Sequence, residues 1–353
     1  MTRVGLMGAG LIGREHADLL VSNRRAELAA ICDPSPAAAE LAARLSVPYF
    51  TDYDTMLDDA KPDGAIIALP NNLHTPAALA CIERGVPCMI EKPIAESIAS
   101  AARIVEASER SGVAVLVGHQ RRHSPDIRSA KRAIDAGELG PLVAVSGMTL
   151  FDKPDDYFNT EWRRKRGGGV LLINLIHDID VLRYLVGEIE SIRAFTSSAR
   201  RGFEVEDTAS ISIRFVNGVL GTFLISDAAV SPWAWEYTSG QALYHPAQPG
   251  PSLFLAGRKA ALSVSDMYLW RHAEENDHWQ HPLVREYRPG DGSLTYVNQL
   301  DHFVDVIRGE AKPLISARDG MSTLAATLAV DLAGREDRTV KLAEMLSPAK
   351  VAA

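Results

Sequence analysis

The stretch Gly8-Ala9-Gly10-Leu11-Ile12-Gly13 lies between a short apolar run, residues 3–7, and a segment with helical periodicity, residues 11–22. A strand, a G-x-G-x-x-G turn and a helix in this order are typical of a dinucleotide-binding turn. The glycines permit the tight turn, the close approach of a pyrophosphate and the packing of helix on strand, while the helix N-terminus favours anionic phosphates. The residues expected to bind a dinucleotide here are Gly8, Gly10, Leu11, Ile12 and Gly13.

Asp33 stands twenty residues after Gly13, at the end of the next strand candidate, residues 28–32. A carboxylate at this place accepts hydrogen bonds from the adenosine ribose and repels a 2′-phosphate. The sequence therefore predicts NAD rather than NADP as the cofactor. The alternative is that the glycines form an ordinary turn and that Asp33 only caps the following helix.

The first 120 residues alternate short apolar runs with longer helical segments, which is the pattern of a parallel sheet with crossover helices. Strands are expected at residues 3–7, 28–32, 64–69, 88–90 and 113–117, and helices at residues 11–22, 36–45, 75–84 and 94–111. We therefore predict an α/β chain whose residues 1–121 form an NAD-binding Rossmann domain with a doubly wound parallel sheet.

From residue 122 onwards, strand-like alternation dominates. Strands are expected at residues 142–150, 191–197, 209–215, 220–226 and 260–264, and helices at residues 126–136, 171–185, 297–308 and 318–333. The dipeptide Asn217-Gly218 predicts a hairpin turn. Residues 122–353 should thus form an α+β domain with a mostly antiparallel open sheet. Because such open faces are often buried by self-association, we expect a homodimer or homotetramer through this sheet.

Composition restricts the class of protein further. The 353 residues include 37 Lys+Arg and 45 Asp+Glu, a net charge of -8, and 46% of them are hydrophobic. An acidic chain without an apolar run of about 20 residues is expected to bind neither nucleic acid nor a membrane, so its partners should be small molecules or its own copies. Cys32, Cys81 and Cys88 lie in apolar or helical contexts, which favours reduced thiols in a cytoplasmic protein.

Two polar segments follow strand candidates, so we expect them at the carboxyl edge of the first sheet, where doubly wound folds bind ligands. Pro70, Asn71 and His74 follow one strand, and Glu91-Lys92-Pro93 follows the next. The Lys92–Pro93 bond is a candidate for the cis isomer, and Lys92 is expected to point towards the ligand. The alternative for Lys92 is a surface ion pair with Glu91.

A polar stripe marks the helix expected at residues 171–185. Asn174, His177 and Asp178 share one face at helical spacing, and buried polar groups require partners. A histidine at this place suits proton transfer near neutral pH. The alternative is a core histidine bonded to Asp180 or to a backbone carbonyl.

Cations and aromatic residues elsewhere in the second half favour an anionic substrate with a ring. Arginine pairs with carboxylates in a bidentate manner, and aromatic side chains offer a flat wall. The alternatives are a solvated basic loop and aromatic residues of the core or an oligomer interface. The residues concerned are Arg121, Arg122, Tyr157, Trp162, Arg163, Arg164, Lys165, Arg166, Trp233 and Trp235. His272, His278 and His281 fit no compact ligand spacing, so no metal is expected.

Taken together, these motifs resemble the Gfo/Idh/MocA family of oxidoreductases. The resemblance rests on residues 8–13, Pro70-Asn71 with His74, Glu91-Lys92-Pro93, Gly167-Gly168-Gly169 followed eight residues later by His177, and on residues 299–309 and Asp319-Gly320. It implies a Rossmann domain, a C-terminal sheet that serves as substrate wall and oligomer interface, and hydride transfer between NAD(P) and a sugar, polyol or related alcohol. It also implies that Lys92 is the catalytic lysine and His177 the catalytic or substrate-binding histidine.

The chain departs from the family pattern at one position. Where the family carries Asp or Asn, four residues after the glycine triplet, this chain has Ile173, and the amide follows as Asn174. On a regular helix this displacement rotates the polar group by about 100°. Residues 173–180 and 118–123 are similar to a subfamily of dehydrogenases that act on carboxylated cyclohexadiene diols.

We therefore expect a dehydrogenase that oxidises a secondary alcohol of a sugar, cyclic polyol or carboxylated cyclic diol. Such a reaction needs a base for the hydroxyl proton and a cation beside the developing alkoxide, and Lys92 and His177 are the candidates. The expected cofactor site also includes Pro70, Asn71, His74, Glu91 and Lys92. The expected substrate site comprises Lys92, Arg121, Arg122, Tyr157, Trp162, Arg163, Asn174 and His177. The alternatives are a regulator that binds NAD without turnover, and a hydrolase or lyase that oxidises its substrate transiently.

Overall fold

A computed structural model describes residues 1–242, 245–274 and 277–347, which form two compact units. The first consists mainly of Met1–Gln120 and Tyr296–Leu324, and the second of Arg121–Thr295 and Ala325–Met345. This corrects the expectation that residues 122–353 form one uninterrupted domain. Residues 296–324 join the first unit because Ile307 lies directly against Gly64 and Ser316 forms a β-bridge with Leu116.

The first unit alternates strands with helices. Its N-terminal elements are β1 (Thr2–Met7), α1 (Leu11–Ser22), β2 (Ala26–Cys32), α2 (Pro36–Leu45), β3 (Tyr49–Phe50), α3 (Tyr53–Ala60), β4 (Gly64–Ile67), α4 (Asn71–Glu83), β5 (Cys88–Glu91), α5 (Ile98–Ser111) and β6 (Val115–Gly118). The strands pair in parallel in the order β3-β2-β1-β4-β5-β6. This is the strand order of a Rossmann fold, so the predicted doubly wound sheet is confirmed.

The strands of this sheet are mostly apolar and mostly buried. Every residue of β4, β5 and β6 is buried, as expected where helices cover both faces of a parallel sheet. The sequence did not predict β3 or α3. A strand of two half-buried residues shows no periodicity, and α3 buries only Met56 and Leu57.

The remaining elements begin with a 3-10 turn at Gln120–His123. They are α6 (Pro125–Asp135), β7 (Leu142–Leu150), α7 (Ile176–Val186), β8 (Ile189–Ser197), β9 (Thr208–Phe215), β10 (Leu220–Ser226), α8 (Trp235–Thr238), β11 (Leu253–Gly257), β12 (Ala260–Val264), β13 (Tyr268–His272), β14 (Leu283–Tyr287), α9 (Thr295–Ile307), α10 (Ala317–Glu336), β15 (Val340–Lys341) and α11 (Leu342–Met345). In the described part of the chain, no helix combines the length and the apolar character needed to cross a bilayer.

The second sheet has the order β14-β13-β12-β11-β7-β10-β9-β8-β15. Neighbouring strands are antiparallel except β7 and β10, which confirms a mostly antiparallel sheet. Asn217 and Gly218, with φ of +87° at the glycine, form the predicted turn between β9 and β10. Alternate residues of these two strands are buried, so one face of the sheet packs against the core.

In this unit, four strands were not expected and one expected helix is corrected. The sequence did not predict β11, β13, β14 or β15; all five residues of β14 are exposed, so no alternation of apolar residues marks this strand. The helix expected at residues 171–185 is not a continuous α-helix. Leu171–Leu175 forms a π-helical turn, and α7 starts at Ile176.

Candidate active site

Two glycines of the turn after β1 are required by close backbone contacts. Gly8 has a φ of +95°, and a Cβ at this residue would lie 2.3 Å from the carbonyl oxygen of Ala68. A Cβ at Gly13 would lie 2.1 Å from the carbonyl oxygen of Gly8. Both distances are far inside van der Waals contact, so these residues allow the turn to form and α1 to pack against it.

Gly10 differs from its two neighbours in the motif, because a Cβ there would meet no described heavy atom within 4 Å. It is the N-cap residue of α1, and no side chain caps the helix. The first backbone N–H groups of α1 are therefore available to an anion, in the positive field of the helix N-terminus. This open, uncapped turn fits the pyrophosphate of a dinucleotide.

Alanine substitutions separate these two uses of glycine. We expect Gly10→Ala to leave the melting temperature nearly unchanged, because its φ of -69° suits alanine. Its NAD affinity should fall about tenfold or more, since the methyl group occupies the space of the phosphates. Gly13→Ala should instead cost about 1–3 kcal/mol of unfolding free energy or more. Thermal melts and NAD titrations measure both effects, and the opposite pattern would contradict this assignment.

The Asp33 carboxylate is hydrogen-bonded to the backbone of the glycine turn. Its Oδ2 accepts the N–H of Ala9 at 2.8 Å, and its Oδ1 accepts the N–H of Ser35 at 2.8 Å. Burial favours a higher pKa for this carboxyl, but the hydrogen bonds from Ser35 and Ala9 outweigh it and hold the pKa below its usual range. The N-cap residue of α2 is Ser35, so Asp33 is not merely a helix cap. A carboxylate has four acceptor positions, more than the bonds from Ala9 and Ser35 use, so Asp33 can also accept from a ligand hydroxyl.

His74 connects the two polar segments that follow β4 and β5. Its side chain is buried, with Nδ1 2.8 Å from the carbonyl oxygen of Pro93 and Nε2 2.8 Å from that of Leu69. Burial lowers the pKa of the imidazole, and the two carbonyl contacts oppose this effect. We expected His74 to contact the cofactor. Because the main chain occupies both ring nitrogens, His74 instead fixes the loop that carries Lys92.

Glu91 is buried at the end of β5. Its Oε1 lies 2.8 Å from His16 Nε2, and its Oε2 accepts the backbone N–H of Lys92 at 3.3 Å. Burial favours a higher pKa, but the bond and charge of His16 and the charge of Lys92 hold the pKa of Glu91 below its usual range. A surface ion pair between Glu91 and Lys92 is thereby excluded. The sequence did not identify His16, because 75 residues separate it from Glu91.

Three other expected residues of the first unit lie close to this carboxyl edge. The Lys92–Pro93 peptide bond is cis, as the sequence predicts, and Lys92 is half-buried. Pro70 is the N-cap residue of α4 and Asn71 is its first residue; both are exposed. The turn after β4 is therefore accessible to a ligand at Pro70 and Asn71.

In the second unit, Ile173 and Asn174 both lie in the π-helical turn. The backbone N–H of Ile176 bonds to the carbonyl oxygen of Leu171, five residues earlier. A turn closed in this way holds one residue more than an α-turn. The rotation of about 100° per residue belongs to a regular α-helix, so it does not describe the positions of Ile173 and Asn174 within this turn.

The polar residues of α7 begin with His177 and Asp178, both buried. Asp178 accepts hydrogen bonds from Arg121 and, at 3.0 Å, from Thr149 Oγ1. Burial raises the pKa of Asp178 to about 6, although the charge of Arg121 opposes it. The Asp178 carboxyl therefore changes its protonation state closer to neutral pH than an ordinary aspartate does.

The arginines at the start of the second unit are not available to a substrate, which corrects our expectation for both. Arg121 is 2% exposed and pairs with Asp178 and Glu236, and its guanidinium lies 4.7 Å from the Trp235 ring centroid. Arg122 forms a bidentate pair with Asp180 at 2.8 and 2.7 Å. Their charges are neutralised inside the unit because carboxylates from later segments reach them.

A buried lysine was missed by the sequence analysis. Lys153 is 9% exposed, and its Nζ lies 2.8 Å from Asn174 Oδ1 and 3.1 Å from Asp227 Oδ2. The other oxygen of Asp227 accepts from Arg201 Nε at 3.1 Å. Burial lowers the pKa of Lys153, and the charge of Asp227 opposes it. Lys153 stands in a loop after β7 that carries no motif, so nothing in the sequence distinguished it.

Tyr157 joins this cluster to the basic loop. Arg163 Cζ lies 3.9 Å and Lys153 Nζ 4.9 Å from the centroid of the Tyr157 ring. Trp162 is 54% exposed, and Arg164, Lys165 and Arg166 are exposed, as in a solvated loop. In the described ranges, no cluster of three or more His, Cys, Asp or Glu side chains is arranged to hold a metal ion.

The fold and these residues define a dinucleotide-binding oxidoreductase, and comparison with known proteins identifies the family. Residues 2–119 match the NAD-binding Rossmann domain of the Gfo/Idh/MocA oxidoreductases, and residues 127–259 match the C-terminal domain of the same family. The chain belongs to the Gfo/Idh/MocA family and is an oxidoreductase.

The similarity to known relatives covers nearly the whole chain. It is 25% identical to the myo-inositol 2-dehydrogenase of Thermotoga maritima over 98% of this chain and 99% of that protein. It is 26% identical to the scyllo-inositol 2-dehydrogenase (NAD(+)) of Bacillus subtilis over 96% of both chains. Among solved structures, the WlbA dehydrogenase from Bordetella pertussis in complex with NADH and UDP-GlcNAcA superposes with a TM-score of 0.79, at 26% identity, over 96% of this chain and 98% of that one.

Proposed function

We propose that this protein is an NAD-dependent dehydrogenase that oxidises a secondary alcohol of a sugar or cyclic polyol. The observation that carries the proposal is the open glycine turn at Gly10. The N–H of the neighbouring Ala9 donates a hydrogen bond to the Asp33 carboxylate. The names of the full-length relatives support the substrate class, because two of them are dehydrogenases of inositols.

The residues of the first unit are assigned to the cofactor. The glycine turn holds the pyrophosphate, and Asp33 accepts from the ribose and disfavours NADP through its negative charge. When bound, the nicotinamide accepts a hydride from the alcohol carbon. The complete set assigned to cofactor contact is Gly8, Gly10, Leu11, Ile12, Gly13, Asp33, Pro70, Asn71 and Lys92.

We assign Lys92 and His177 to the step in which the alcohol loses its hydroxyl proton. The ammonium of Lys92 lowers the energy of a developing alkoxide, and the imidazole of His177 accepts or relays the hydroxyl proton. The buried Glu91, next to Lys92, holds the turn after β5 through its bonds to His16 and to the Lys92 N–H. This support fixes the position from which Lys92 acts.

An absorbance assay at 340 nm with inositols, pentoses and hexoses tests the function. We expect NADH to form with at least one ring alcohol and in proportion to the ketone or lactone produced. Product without net NADH would indicate a hydrolase or lyase with transient oxidation, and NAD binding without any turnover would indicate a regulator.

We further propose that the open sheet of the second unit forms a homodimer or homotetramer. The outward face of β8, β10 and β11 exposes apolar side chains among serines and threonines, and exposed apolar patches favour association. The exposed residues are Phe195, Leu220, Leu224 and Phe254. Light scattering should give a multiple of the 38.3 kDa chain mass, and a monomer would contradict this proposal.

A further inference from the structure

The third glycine of the triplet before the π-helical turn leaves space for a carboxyl group. Gly169 has no positive φ, so its backbone conformation alone does not require a glycine. A Cβ at this residue would instead lie 2.2 Å from Oε1 of Glu206. Glu206 stands just before β9 in the second unit, and the glycine allows its side chain to reach the turn.

Glu206 binds the backbone at the start of this turn. Its Oε1 accepts the N–H of Leu171, the first residue of the turn, at 3.0 Å, although 35 residues separate the two. Its carbonyl oxygen lies 3.5 Å from the backbone nitrogen of Val170. The first N–H groups of a helix have no partner within the helix. Glu206 therefore supplies the acceptor that Val170, whose side chain makes no cap, does not provide.

The acceptor oxygen, and not the charge, accounts for a glutamate at this position. Burial raises the pKa of the Glu206 carboxyl above its usual range, although the N–H of Leu171 opposes this effect. The negative charges of Asp331 and Asp227 raise the pKa further. These surroundings disfavour a negative charge, so the hydrogen bond to Leu171 is the feature that a neutral glutamine should preserve.

A second contact fixes the same turn at Asn174, whose Oδ1 accepts from Lys153 Nζ at 2.8 Å. Turns of this type are rare in helices and occur often at functional sites. If the turn relaxed to an α-helix, it would lose one residue, and the residues before α7 would rotate by about 100° relative to His177. A rotation of this size would separate Leu171 from Glu206. The outside contacts therefore hold the turn in its five-residue form.

We propose that Glu206 is a positioning residue for His177. By bonding to Leu171, it holds the π-helical turn and so fixes the point from which His177 acts on the hydroxyl proton. The inference rests on the proposed function, which gives His177 this task. Glu206 itself transfers no proton. A displacement of a reacting group by about 1 Å can lower the rate about 100-fold, so a contact at the start of the turn is sufficient to affect catalysis.

Variants at Glu206 test this role, with kinetics measured well below their melting temperatures. Glu206→Ala should lower kcat by about 10- to 100-fold and change KM and NAD affinity by less than about threefold. Glu206→Gln should recover most of the native kcat, because the amide oxygen accepts the same N–H. Glu204→Ala, at an exposed glutamate of the same loop, should retain native kinetics.

Gly169→Ala provides an independent route to the same defect. The added methyl group would meet the end of the flexible Glu206 side chain and should push the carboxyl group away from Leu171. Its kcat should therefore fall as in Glu206→Ala. The double variant should be about as slow as the slower single variant, because both substitutions remove one and the same hydrogen bond.

Amide hydrogen exchange of residues 170–176 follows the turn without reference to catalysis. In Glu206→Ala, exchange of this segment should become at least about tenfold faster, and in Glu206→Gln it should stay near the native rate. A native kcat in Glu206→Ala, equal losses in Glu206→Ala and Glu206→Gln, or additive losses in the double variant would overturn the proposal.

The exchange measurement also separates this proposal from the proposed function. If the proposed function is wrong, no ring alcohol yields NADH, and the exchange rates still confirm or refute the hold of Glu206 on the turn. If only the role of Glu206 is wrong, the native protein forms NADH, and Glu206→Ala does so at the native rate with unchanged exchange.

Discussion

Lys92→Met is expected to lower kcat by about 10²–10⁴-fold, because it removes the ammonium that stabilises the developing alkoxide. Methionine keeps the length and apolar stem of the side chain. Two contacts hold the turn after β5: the backbone N–H of residue 92 donates to Glu91 Oε2, and His74 contacts the carbonyl oxygen of Pro93. Neither contact involves the ammonium, so the turn should persist in this variant. Steady-state kinetics with the best ring alcohol measure the effect.

The control for this variant is Lys312→Met, at an exposed lysine of the first unit, which should retain native kinetics. NAD affinity of Lys92→Met, followed by fluorescence titration, should remain within about threefold of the native value, since the glycine turn binds most of the cofactor. A normal kcat in Lys92→Met would remove this residue from the mechanism.

Asp33→Asn is expected to raise the NADP-to-NAD ratio of kcat/KM by about 10- to 100-fold. The substitution removes the negative charge that repels a 2′-phosphate and one of the acceptors available to the ribose. It also leaves one oxygen to serve two backbone donors, the N–H groups of Ala9 and Ser35. Absolute kcat/KM with NAD should therefore fall, and a melting curve records any loss of stability.

Asp18→Asn provides the matched control, because Asp18 is an exposed aspartate of α1 outside the glycine turn. It should leave the cofactor ratio unchanged. An unchanged ratio in Asp33→Asn, or a native protein that prefers NADP, would refute the role assigned to Asp33.

Local patterns made much of the first unit predictable from sequence. The G-x-G-x-x-G turn, α1 and α2 depend on neighbouring residues, and both helices have the bounds that periodicity indicates. The cis bond before Pro93 likewise follows from a local constraint. These features need no knowledge of the tertiary structure, which is why they could be stated in advance.

Long-range pairs were not predictable. Whether the charge of Arg121 is neutralised depends on Asp178, 57 residues later. Whether the charge of Lys153 is neutralised depends on Asp227, 74 residues later. Such pairings follow from sheet register and helix packing, which a single sequence does not specify. The π-helical turn at Leu171–Leu175 was missed for a related reason, because five apolar or amide residues fit α-helical periodicity equally well.

The proposed function requires that a hydride passes from a ring CH–OH carbon to NAD. A polyol deuterated at its CH–OH carbons tests it most directly, with mass spectrometry of the recovered cofactor and ketone. We expect deuterated NADH and ketone in equal amounts. Unlabelled cofactor, or a product formed with no net gain of NADH, would contradict it.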